Sequence, residues 1–118
     1  MRTVFIRVVP NTVLIAEVYI VVYHYRIPID KTIDYFKLEK KAIEAYLESG
    51  CVNVEIYRDT EDPQRWMEIN RFRDREHYQR VASTLEEDPR ISQLFEEFKE
   101  LLGDAEYDPE KKEYFHMI

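Results

Sequence analysis

The sequence predicts an α+β fold, a ferredoxin-like βαββαβ unit whose single antiparallel sheet has helices on one face and a second copy of the chain on the other, making a dimeric α+β barrel. Three observations lead there. Apolar runs with strand periodicity alternate with helix-period segments, Gly and Pro stand at the joints, and from Glu17 onward the order is strand, helix, strand, strand, broken helix, strand.

Val4 to Val9 is a β-branched run ending at the turn pair Pro10-Asn11, and a longer apolar run goes from Val13 to Ile27, so two strands joined by a turn are expected. Pro28 and Asp30 close the second. Asp30 suits the N-cap of a helix running to Ser49, with Gly50 just beyond its end. At about 100° per residue, Ile33, Phe36, Ile43 and Leu47 form a stripe flanked by Tyr35, Ala42 and Tyr46, with Asp34, Lys37, Lys41, Glu44 and Glu48 opposite, so this helix has one face to bury. Val52 to Arg58 and Arg65 to Phe72 alternate as strands, joined into a hairpin by the turn Thr60-Glu61-Asp62-Pro63. Asp74 caps a second helix through Leu85, and Asp88-Pro89 restarts it, Pro being suited to the first helical position. Ile91, Leu94, Phe95, Phe98, Leu101 and Leu102 follow helix spacing until Gly103. After a polar link from Asp104 to Lys112, Tyr114 to Ile118 is a last strand.

Helices cover only one face of such a sheet. The other is rich enough in apolar and aromatic residues to need a cover, which the same face of a second copy supplies as a closed homodimer. Residues 1–16 are then an added strand or arm, and residues 17–118 the barrel domain.

The 118 residues carry a formal charge of −7, with 45% hydrophobic and 35% charged residues, enough for one soluble domain that folds without disulfide or metal. The acidic balance, with no block of Lys or Arg, argues against nucleic acid as a partner. Thr12 to Ile27 is too short to span a bilayer and is interrupted by Glu17, so neither a membrane segment nor a secretory signal is expected. The lone Cys51 fits a reducing compartment, and a cytoplasmic location follows. No glycine-rich phosphate loop, dinucleotide fingerprint, Ser-His-Asp arrangement or metal-ligand spacing occurs, so neither nucleotide chemistry nor a metal site is expected.

Candidate site residues come from the hairpin. In an odd pairing register, Asn53, Glu55 and Tyr57 share a side with Trp66, Glu68, Asn70 and Phe72, while Val52, Val54, Ile56, Met67 and Ile69 form an apolar side against the helices. The polar and aromatic side then lines either the dimer interior or a ligand cavity, with Tyr57 and Asn70 as catalytic candidates and Trp66 and Phe72 as substrate-binding ones. His24, between Tyr23 and Tyr25, is the candidate general base for a phenolic or enolic substrate, or else a hydrogen-bonded strand histidine. Glu39 lies between the stripe and flank of the first helix, where it either snorkels to the edge or pairs with an Arg such as Arg26 or Arg71, or else is a raised-pKa base in a helix–sheet pocket, there counted among the substrate-binding residues. His77 is expected to face solvent, His116 could share the side of His24, and Cys51 is read as a buried inert thiol.

The chain resembles the antibiotic biosynthesis monooxygenase-like family of dimeric α+β barrels over about Val18 to Leu102. The resemblance rests on Ile27-Pro28-Ile29-Asp30-Lys31, Ser49-Gly50-Cys51-Val52-Asn53, the hairpin from Tyr57 to Pro63, and the run from Glu68 to Tyr78. The family often has Trp where Phe72 stands here, with Trp66 earlier on the same strand. Its haem-degrading members carry a histidine late in the second helix, and Ile91 to Leu102 has none, which disfavours that activity. The resemblance implies a pocket between sheet and helices in each subunit, used by some relatives to oxygenate small aromatic or polyketide compounds with neither metal nor flavin. The expected function is accordingly a cofactor-independent monooxygenase acting on a small aromatic or quinol-type substrate. The alternative is a non-catalytic small-ligand-binding or stress-related module.

Overall fold

The computed structural model describes residues 18–103 and 109–118. The expected strand at Val4 to Val9, and with it the arm of residues 1–16, lies outside the described residues. Strands β1 (Tyr19–Arg26), β2 (Asn53–Arg58), β3 (Arg65–Phe72) and β4 (Glu110–Phe115) form one antiparallel sheet in the order β2-β3-β1-β4. Helices α1 (Thr32–Glu48), α2 (Arg75–Glu87) and α3 (Pro89–Leu102) pack on one face, which is the ferredoxin-like arrangement. No described helix is long and apolar enough to cross a membrane.

The register of the two central strands fixes which side chains meet the helices. Tyr23 pairs with Glu68 and Tyr25 with Trp66, so Tyr19, Val21, Tyr23 and Tyr25 share the helix face with Trp66, Glu68, Asn70 and Phe72. Ile20, Val22, His24, Met67, Ile69 and Arg71 take the open face. Across the hairpin Val54 pairs with Asn70 and Ile56 with Glu68, an even register and not the expected odd one. A slip of one residue exchanges every face. Tyr57, Glu55 and Asn53 therefore point outward with Met67, Ile69 and Arg71, while Val54 and Ile56 join Glu68 and Asn70 under the helices. The large rings decide the matter, because Tyr25, Trp66 and Phe72 bury more apolar surface than Met67 and Ile69 could, and strand periodicity carries Glu68 and Asn70 inward with them.

Helix α1 differs from expectation at its start and on its face. A 3-10 turn, Ile29–Lys31, leads directly into it, with Lys31 N–H donating to the Pro28 carbonyl at 3.0 Å. The turn satisfies the first donors, so Asp30 is not the cap and Lys31 occupies that position without a side-chain bond. Its buried residues are Tyr35, Glu39, Ala42 and Ala45, whereas Ile33 is 72% exposed and Phe36 and Leu47 are also exposed. The small Ala42 and Ala45 let the helix lie close to the sheet, leaving Tyr35 to fill the space beside Trp66, with ring centroids 5.9 Å apart. Its end is as predicted. Gly50, at φ 111°, donates to Leu47 and Cys51 N–H donates to Tyr46, a Schellman closure.

Asp74 caps α2 by accepting the His77 N–H at 2.7 Å, and Asp88 caps α3 by accepting that of Arg90 at 2.8 Å. Ile91, Leu94, Phe98 and Leu102 are buried, and Gly103 has the positive φ expected of a helix stop. β4 begins earlier than Tyr114 and pairs from Glu110 against His24 to Phe115 against Tyr19. All its residues are exposed, and its Lys and Glu are the charges an edge strand uses to resist further pairing.

Candidate functional site

Glu39, from the buried face of α1, meets Glu68, from the helix face of β3, and they are only 4% and 6% exposed. The two carboxyl groups are hydrogen-bonded to each other, Tyr35 also bonds Glu39, and the Asn70 amide donates to Glu68. Behind Tyr35 stands Tyr25, hydroxyl to hydroxyl. The arginines that could have neutralised Glu39 are engaged elsewhere, Arg26 with Asp62 at 2.8 Å and Arg71 with Glu55 at 3.3 Å. The expected pairing of Glu39 with Arg26 or Arg71 is thus not formed, because both lie outside the dry layer where Glu39 ends.

Burial pushes the Glu39 carboxyl above its ordinary range, with the hydrogen bonds from Glu68 and Tyr35 offsetting part of the effect. Burial also raises Glu68 well above that range, and the charge of Glu39 raises it further. Two such carboxylates in contact cannot both ionise cheaply, so the pair retains a proton and titrates as a unit. Burial likewise raises Tyr23 and Tyr35, which stay neutral phenols. The arrangement can accept one proton, hold it out of water and return it.

The pair borders a cavity of about 60 Å³ whose other walls include Tyr23, Tyr46, Ile91 and Phe95. These four residues also wall a larger cavity of about 260 Å³, bounded beyond them by Asn70, Phe72, Tyr78 and Lys111. A third hollow, of about 370 Å³, lies at the end of the hairpin against His24, Tyr57, Arg58, Arg65, Trp66 and Met67.

The sequence-derived candidates are therefore divided by the sheet. Glu39, Asn70 and Phe72 line the helix-side cavities. His24 is half-buried on the open face with Tyr57, whose hydroxyl donates to Glu55 at 2.8 Å, and both border the hairpin hollow. Trp66 belongs to the aromatic core beside Tyr35 and also reaches that hollow. His77 is buried, contrary to the solvent-facing expectation. Its Nδ1 accepts the Arg73 N–H at 2.9 Å, and burial lowers its pKa, so it pins the start of α2 as a neutral ring. Cys51 is buried, with its thiol raised by burial and directed at the carbonyls of Asn53 and Arg71. Glu68, Tyr25 and Tyr35 were missed. Glu68 alone had a signal, a carboxylate alternating with Trp66 and Asn70, but reading it required the hairpin register.

A sequence model described as Antibiotic biosynthesis monooxygenase matches residues 18–102. Among solved structures, a conserved protein from Methanosarcina mazei superimposes with a TM-score of 0.65 at 19% identity, covering 83% of this chain and 91% of that one. A variant of SnoaB, a cofactor-independent oxygenase from Streptomyces nogalater, gives a TM-score of 0.68 at 10% identity, over 87% and 96% of the two chains. A NIPSNAP family protein from Agrobacterium tumefaciens gives 0.67 at 16% identity, over 86% and 87%. At these identities the superpositions establish the fold alone. No match is found among curated protein sequences.

Proposed function

This chain belongs to the antibiotic biosynthesis monooxygenase family, and from that premise we propose that its helix-side cavity oxygenates a small aromatic or quinol-type compound without a bound cofactor. The observation that carries this reading is the buried Glu39–Glu68 pair at the edge of an aromatic-walled cavity. A quinol is a weak electron donor until a hydroxyl proton is removed, and a water-excluded carboxyl pair that exchanges one proton is suited to that step. The resulting quinolate reduces dioxygen. One oxygen atom enters the ring, the other leaves as water with the returned proton, and a quinol plus O₂ gives a hydroxyquinone plus water with no external reductant. Independence from a cofactor is supported by the description of SnoaB, which shares the fold.

In this scheme Glu39 and Glu68 are the proton-exchanging groups, Asn70 orients Glu68, and Phe72 walls the substrate. Trp66 supports the cavity through Tyr35. His24 and Tyr57 have no role in proton removal, since the sheet lies between them and the carboxyl pair. The working form is a homodimer closed through the open sheet face, a reading supported by the part-exposed Ile20, Met67 and Ile69 on the side that carries no described helix.

The test is incubation with a panel of quinols under isotopically labelled dioxygen. The expected result is one O₂ consumed per substrate, with label in the organic product and in water. If the compounds bind and no oxygen is taken up across the panel, the protein is the non-catalytic binding module instead.

A further inference from the structure

We infer that residues 4–9 dock as a fifth strand on the free edge of β2, antiparallel to it, and cover the exposed apolar stripe of α1.

Helix α1 carries more apolar surface than its contact with the sheet uses. Ile33, Phe36 and Leu47 are exposed and Ile43 is half-buried, and at about 100° per residue the four fall on one stripe, to the side of the buried Tyr35, Ala42 and Ala45. That stripe runs alongside β2. At one end Phe36 meets Trp66 with ring centroids 5.4 Å apart, and the Arg58 guanidinium of β2 lies 5.8 Å from the centre of the same ring. At the other end Leu47 leads through the Gly50 turn to the exposed Val52, which directly precedes β2. An apolar patch continuous over this length marks a contact surface. No described strand pairs with the outer edge of β2, and β2 has only Glu55 and Arg58 where the other edge strand, β4, has Glu110, Lys111, Lys112 and Glu113 to resist pairing.

The chain itself supplies the cover. The run Val4 to Val9 has six residues, as has β2. Placed antiparallel with Arg7 across from Glu55, it sets Phe5 across from Tyr57, Ile6 from Ile56 and Val8 from Val54, so one register pairs opposite charges, two rings and the β-branched side chains. Val4, Ile6 and Val8 then share the helix side with Val54 and Ile56 and face the α1 stripe, whereas a slip of one residue would turn Arg7 onto it. Pro10, which cannot donate to a ladder, falls just past Asn53. Direction and reach agree with this placement. Asn53, Arg71 and Ile20 lie in one row, so β1 starts at the end of the sheet where β2 starts, and a strand leading into β1 from outside β2 runs opposite to β2. Three strand spacings, about 15 Å, separate such a strand from β1, and the eight residues 10–17 span up to about 26 Å. Arg2 and Arg7 are the only charges in residues 1–16, which suits docking on a chain of net charge −7.

Amide hydrogen exchange on the full chain tests the inference. The Asp59 N–H donates to the Arg65 carbonyl, and alternation from that bond turns the N–H groups of Val54, Ile56 and Arg58 to the free edge. These three amides should exchange at least about tenfold more slowly in wild type than in Ile6→Pro, in which residue 6 can no longer join a ladder. Amides of β1, equally protected in both proteins, show that the domain stays folded. Phe5→Cys combined with Tyr57→Cys should form a disulfide within one chain, identified by peptide mapping, and Phe5→Cys combined with Asn53→Cys should not. Rapid exchange of the three amides in wild type, protection that survives Ile6→Pro, or no bond between the substituted positions 5 and 57 would each overturn the inference. A disulfide joining two chains would overturn it as well, by placing these residues on a second copy.

Discussion

Replacing Glu39 by Gln removes one titrating group from the buried pair while keeping its size, and the consequence is a change in how stability depends on pH. Burial raises both carboxyls in the folded protein. From about pH 4.3 upward the unfolded chain releases glutamate protons that the folded chain keeps. Stability is therefore full below the unfolded value and falls as pH rises towards the folded one, by about 1.4 kcal/mol per pH unit for each retained proton. In Glu39→Gln the charge that raises Glu68 is gone, and the amide can donate to the Glu68 carboxylate. The variant should lose one proton's worth of slope and become the more stable protein as the solution turns neutral. Urea titrations from about pH 5 to about pH 8 measure this directly, provided the denaturant slope is unchanged. Asp59, Asp62 and Asp88 are lowered by hydrogen bonds, so their contributions are lost only on acidification below this range. His77 is lowered by burial, which makes stability rise with pH through its window, but it does so equally in both proteins and cancels in the comparison. Parallel stability curves for wild type and Glu39→Gln would refute the shared-proton account.

Three further outcomes follow from the fold. Gly50→Ala places a side chain at φ 111° with the new Cβ 3.4 Å from His77 Nε2 and from Val81 Cγ2, and should lower stability by about 1–3 kcal/mol in a urea melt. Asp74→Ala removes the acceptor for the His77 N–H and should cost about 1 kcal/mol by the same measurement. Light scattering should give twice the 14.4 kDa chain mass, and Ile69→Lys on the open face should reduce it to a folded monomer. A wild-type monomer would remove the proposed dimer.

The parts of the fold that were legible in the sequence are those with local chemical causes. Asp74, Asp88 with Pro89, and Gly50 each act through backbone groups within a few residues, so pattern and outcome coincide. Hairpin register is different, because the turn admitted two pairings and the choice fell to rings that meet only in the folded core. That same error hid the site. With Glu68 assigned to a polar outer face, it could not be paired with Glu39, although Glu39 itself stood out as a carboxylate beside the apolar stripe of its helix. The face of α1 was misjudged because larger residues were weighed above small ones, while Ala42 and Ala45 are what permit contact with the sheet. Strand β4 was begun too late because its first four residues, Glu110 to Glu113, are all charged, and only pairing with β1 makes them a strand.

Oxygen uptake on one quinol substrate, measured side by side for wild type, Glu39→Gln and His24→Ala at matched folded concentration, tests the central claim most directly. A carboxyl pair acting as the base predicts that Glu39→Gln loses about 100-fold or more of turnover, as for removal of a general base, while His24, on the far side of the sheet, has no part in the proton transfer. Full turnover in Glu39→Gln together with its loss in His24→Ala would contradict the account and move the chemistry to the hollow at the end of the hairpin.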